Sequence, residues 1–134
     1  MQENQEFRKA REAAEKLLQE KEKVQAMLEE AIAKAQKEKV RLKSFWDDLL
    51  TLIQMVRSYF NKEYPFIPWR TLVFAVAALV YFLNPFDVIP DMLPGLGFLD
   101  DATVIAFVVS AIKEDLEKFK RFRQERGIEV QVTP

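Results

Sequence analysis

Four aspartates stand within fifteen residues: Asp87, Asp91, Asp100 and Asp101. Pro85, Pro90 and Pro94 stiffen the same stretch, Gly95 and Gly97 loosen it, and no Lys or Arg occurs between Asn84 and Asp101. Carboxylates without histidine or cysteine offer oxygen ligands only, which suits a hard divalent cation, Mg²⁺, Ca²⁺ or Mn²⁺. The Pro94-Gly95-Leu96-Gly97 reversal could bring Asp87 and Asp91 to Asp100 and Asp101. A second use of the same acids is helix capping. Asn84, Pro85 and Asp87 read as N-cap, N1 and N3 of one turn. Pro90 cannot continue that turn. Asp91 then begins another, and Asp100 or Asp101 caps the helix that follows. No EF-hand spacing is present, so both uses stay open, capping accounting for most of the acids. A carboxylate acid–base pair is conceivable in apolar surroundings, but no nucleophile or oxyanion donor accompanies it. Gly95-Leu96-Gly97 lacks the lysine and the strand-to-helix context of a phosphate loop. No enzyme is expected, and no cofactor beyond a possible divalent cation, Mg²⁺ or Ca²⁺.

An acidic, irregular stretch needs rigid neighbours, and two apolar runs supply them, residues 71–83 before it and 102–112 after it. The first reads as a helix over 69–83, apolar all round after Arg70, so it is expected to be buried in protein or in lipid. The uncharged run 71–86 would be about 24 Å long as helix, at the short end of the roughly 20 residues of a membrane span. The second run is shorter still. It continues into a helix over 113–126 with Ile112, Leu116, Phe119 and Phe122 on one face and a basic end, stopped by Gly127. Residues 127–134 read as a loose tail. Before the first run, residues 61–68 form a turn around Pro65 and Pro68. Tyr64, Phe66 and Trp69 lie there with Lys62 and Arg70, a composition that suits a bilayer interface.

The amino-terminal part is of another kind. Residues 1–43 hold eleven Lys or Arg and nine Asp or Glu, whereas 71–112 hold four Asp and no base, a split hidden by a net charge of -1. From Phe7 to Tyr59, steps of three and four residues run without a slip, and fourteen of the sixteen seam positions are apolar. Lys21 and Glu38 are the exceptions. Such heptads predict a coiled coil. Ser44-Phe45-Trp46-Asp47 approximates a capping box that restarts the helix, and an amphipathic helix follows. A pI of 5.6 and no contiguous basic face exclude a nucleic-acid binder. The absence of Cys and His removes disulfides, thiol chemistry and the usual zinc sites.

Asn84-Pro85-Phe86-Asp87-Val88-Ile89-Pro90-Asp91, followed by Pro94-Gly95-Leu96-Gly97-Phe98-Leu99-Asp100-Asp101, resembles the signature of the YkvA-like domain. This is a short bacterial domain of unknown function regarded as membrane-associated. The resemblance covers about residues 44–122, with one departure at Asn84, where the family often has Ser; both are cap residues. It implies a helical hairpin at a membrane and no activity. The expectation is therefore an all-α protein: a coiled-coil extension over 1–43, a YkvA-like helical domain over 44–126 with a hydrophobic hairpin at 69–112, and the tail 127–134. The hairpin would anchor the chain at the bacterial inner membrane, and residues 7–59 would assemble copies or recruit a helical partner. Bases flank the hairpin and only acids lie between its arms, which places both termini in the cytoplasm. Two rivals stand beside this reading: a soluble helical oligomer that buries the hairpin between subunits, and a metal-dependent membrane enzyme using the aspartates.

Overall fold

The computed structural model of the chain describes residues 5–40, 42–83 and 101–126, with the side chains of residues 5, 6, 101, 102 and 126 left aside. The regular structure among these residues is helical, with no strand. The helices are α1 (Gln5–Leu17), α2 (Lys21–Lys37), α3 (Trp46–Phe60), α4 (Trp69–Phe82), α5 (Asp101–Ala111) and α6 (Lys113–Arg126), with a 3₁₀ turn at Lys43–Phe45 ahead of α3. The all-α expectation holds.

The amino-terminal helix is not one rod. It breaks at residues 18–20 and again at 38–40. Neither break has a glycine or a proline, so the cause is burial. A continued helix would turn Lys21 onto the buried seam. Instead Glu20 takes an extended conformation at the N-cap of α2, Lys21 stays exposed and the off-seam Leu18 is buried in its place. The second break falls at the other polar seam position, Glu38. Most of the apolar seam is buried as expected, including Phe7, Ala10, Ala14, Val24, Leu28, Ala31, Ala35, Leu42, Leu49, Leu52 and Val56. It is buried against the same chain: α1 packs most extensively on α4, and α2 packs on α3 and α4. Ser44 does not cap α3. It lies in the 3₁₀ turn, and Phe45 occupies the N-cap position without a side-chain hydrogen bond.

Helices α3 and α4 are the centre. Nine residues of α3 are buried, and α4 is buried on every side from Thr71 to Phe82. Helices α1 and α2 cover one flank of this pair, and α5 and α6 pack against it as well. Ile112, Leu116 and Phe119 seal α6 onto the core, as their spacing predicts. Among the described residues no helix is long and apolar enough to cross a membrane. Helix α4 has 14 residues, about 21 Å, against a hydrocarbon core of about 30 Å. It stops because Leu83 turns to an extended conformation, φ -72° and ψ 156°.

Candidate functional site

The apolar helix α4 is electrically bare at its ends. It has no acid in its first turn, no base in its last, and Pro68 at the N-cap without a side-chain hydrogen bond. Both ends are served from elsewhere. The Thr71 hydroxyl donates to Asp115 Oδ2 of α6 at 2.5 Å, which brings a carboxylate to the positive end of α4. At the other end Lys34 Nζ of α2 donates to the Phe82 carbonyl at 2.5 Å. The same ammonium lies 4.8 Å from the centre of the Phe82 ring and 3.9 Å from Glu38. A cation from α2 thus satisfies a terminal carbonyl of α4, two residues before Asn84.

Residues 61–68 form a rigid knuckle between α3 and α4, and Trp69 and Arg70 open α4. Lys62 N–H donates to the Tyr59 carbonyl at 3.1 Å and Glu63 N–H to the Ser58 carbonyl at 2.9 Å. This is the Schellman closure of a helix C-terminus. Its left-handed position, usually glycine, is held by Lys62 at φ 64°. Tyr64 then turns inwards and packs on Phe119 and Phe122 of α6, with ring centres 5.3 and 4.6 Å away. Burial raises the Tyr64 pKa above its usual 10.0; the nearby Asp115 carboxylate adds to this and Arg121 opposes it. Phe66 and Trp69 turn outwards, 75% and 48% exposed. Arg70, also exposed, lays its guanidinium 4.4 Å from the Phe74 ring centre. The expected aromatic–basic cluster is therefore divided, with Tyr64 structural and the rest on the surface.

Arg70 also stands at the edge of an open groove of about 660 Å³ between α4 and α5. Phe74 and Phe107 form its apolar wall, and the small residues Thr103, Ala106 and Ser110 its other side. Phe7 of α1 closes this region from the amino-terminal flank, its ring edge-on to both Phe74 and Phe107 at 5.3 and 5.1 Å.

Of the residues expected to carry chemistry, Asn84, Pro85, Asp87, Pro90, Asp91, Pro94, Gly95, Gly97 and Asp100 lie outside the described residues. Helix α5 begins at Asp101. Among the described residues no group of three or more His, Cys, Asp or Glu is placed to hold a metal ion. Sequence reasoning missed Thr71, Asp115 and Lys34, because their partners are 44 and 48 residues away. Lys62 carried a signal that could have been read. It directly follows the helix-ending Asn61, where a glycine would ordinarily stand.

Comparison with known proteins identifies the family. Residues 71–107 match the family described as Protein of unknown function (DUF1232). The chain is also 36% identical over 103 residues to "Uncharacterized membrane protein YkvA" of Bacillus subtilis (strain 168), covering 77% of this chain and 97% of that protein. No solved structure matches the chain. With α4, the start of α5 and the segment between them inside the family match, and with nearly the whole length of the relative covered, the chain belongs to the YkvA-like family.

Proposed function

We propose that this is a non-enzymatic, membrane-associated helical protein whose α4–α5 pair embeds in the bilayer as a re-entrant hairpin. The observation that carries the reading is α4 itself, a helix with no charged side chain after Arg70 and with apolar residues on every side. A helix of this kind is matched either to a protein core or to hydrocarbon. Its length suits partial insertion rather than a full span. The membrane character of the Bacillus relative supports the second environment.

In the described fold α1 occupies the place that lipid would take. Phe7 is the one large side chain it buries fully, and the small residues Ala10 and Ala14 bring it close to α4. Burial on this scale is worth on the order of a few kcal/mol. The outer face of α1 is charged, with Arg8 and Glu12 both well exposed. On this reading α1 is the cover that leaves to expose α4 to lipid. With the hairpin re-entrant, the basic ends of α3 and α6 remain on one face, which the positive-inside rule assigns to the cytoplasm.

The test is fractionation of cells making the full chain. An embedded hairpin keeps the protein in the membrane pellet through alkaline carbonate and releases it in detergent. Recovery in the supernatant without either treatment would refute the reading.

A further inference from the structure

Resting on that membrane reading, we propose that the knuckle and the start of α4, residues 62–70, form a docking surface for anionic bilayer lipids. Phe66 and Trp69 seat at the headgroup level, and Lys62 and Arg70 face the lipid phosphates.

Exposure comes first. Among the described residues, only Val40, Phe66 and Trp69 are large apolar side chains left exposed, and two of the three lie within four residues of each other. They are presented rather than loose. Pro65 and Pro68 fix the backbone between them, the Schellman closure holds one end, and Tyr64 pins the loop onto Phe119 and Phe122. Phe66 touches Tyr64 edge-on, with ring centres 5.6 Å apart. Aromatic rings on a rigid base are what an interfacial anchor needs, since amphipathic rings favour the boundary between headgroups and hydrocarbon.

Charge complementarity chooses the partner. Exposed Lys62 and Arg70 bracket the two rings, and exposed Arg121 lies close enough to act on Tyr64. Two acids are near. Glu63 is exposed in the same loop, and Asp115 is engaged by Thr71. Three cations, Lys62, Arg70 and Arg121, therefore stand against two acids. Lys62 also holds a left-handed position where glycine would cost less. A lysine there places a positive charge in the loop that carries Phe66, against the local backbone preference. Arg70 continues the surface inwards, because it lines the mouth of the apolar groove between α4 and α5. A phosphate at Arg70 would leave an acyl chain beside Phe74 and Phe107.

The experiment uses the full chain carrying Trp46→Phe, so that Trp69 is the sole tryptophan. Vesicles of phosphatidylcholine are prepared with and without phosphatidylglycerol, and with bromine near the headgroup. Trp69 emission should shift to the blue and be quenched on the anionic vesicles, and salt should weaken the binding. Arg70→Gln and Lys62→Gly should each weaken binding about fivefold, the effect of one cation near an anionic surface. Phe66→Ser and Trp69→Ser, read by co-sedimentation, should also release the chain. Lys62→Gly should raise the thermal midpoint while weakening binding, which a purely structural lysine would not do. Vesicle binding that survives all four changes, or an unquenched Trp69 on bound protein, overturns the docking surface and leaves the membrane reading standing. A chain that binds neither vesicle removes both. Indifference to lipid, with Phe66→Ser lowering the mass in light scattering, would assign the patch to a second copy and overturn lipid docking.

Discussion

Thr71, Asp115 and Lys34 finish a helix that cannot finish itself. A helix leaves N–H groups unpaired at its start and carbonyls at its end, with partial positive and negative charge respectively. Helix α4 has the side chains for neither. The Asp115 carboxylate and the Lys34 ammonium, from α6 and α2, supply both. Each is worth up to about 2 kcal/mol in partly buried surroundings. Tyr64 reports on the same corner. Its phenol is held above 10.0, chiefly by burial and then by Asp115. Between that value and the raised folded one, the unfolded chain loses the proton and the folded chain keeps it. Stability from this group is therefore fully present below pH 10 and falls as the pH rises through the folded pKa. Urea unfolding measured between pH 9 and pH 11, a range set about the usual tyrosine value, should show an alkaline loss for the parent that Tyr64→Phe reduces. Parallel losses in the two proteins would show that Tyr64 does not titrate there.

At the scale of the element, the proposed membrane-embedded state requires α1 to come away from α4. Phe→Ala in a closed core costs about 3–5 kcal/mol, but at Phe7 the loss is limited to whatever holds α1 in place. Phe7→Ala should therefore raise hydrogen exchange about tenfold or more in α1 and in the part of α4 it covers, with α3 and α6 unchanged, as expected for sub-global opening. Faster exchange spread evenly over all helices would make α1 part of one cooperative unit, and the cover would not be removable. The break between α1 and α2 follows the same physics. Burying Lys21 would strand an ammonium in apolar surroundings. The helix gives up a turn, and Leu18 takes the inward position.

In the whole molecule, the seam of 7–59 lies folded against α4 and within the α2–α3 contact of the same chain. Val24 is fully buried there. Val24→Asp should destabilise the fold by about 3 kcal/mol or more, the penalty for a buried unpaired charge replacing an apolar side chain. The parent's thermal midpoint should not depend on protein concentration. A midpoint that rises with concentration would place the seam between copies, because association then adds to stability by mass action.

The helical class, the inward residues of α1 to α3, the apolar character of α4 and the sealing face of α6 were legible in the chain, because period and composition are local properties. So was the family, carried by the irregular order of Asn84, Pro85, Asp87, Pro90 and the residues after them. The heptad, however, states only which residues avoid water. It is silent on whether a partner helix belongs to another copy or to the same chain, so a rod and a folded bundle read alike. Two polar seam residues, Lys21 and Glu38, mark the places where folding back was possible. Only the tertiary structure could decide that α1 lies on α4. It alone shows that Asp115 and Lys34 serve the ends of α4, and that Tyr64 turns inwards while Phe66 and Trp69 face out. These outcomes depend on contacts between residues far apart in the chain, and side-chain spacing carries no information about such contacts.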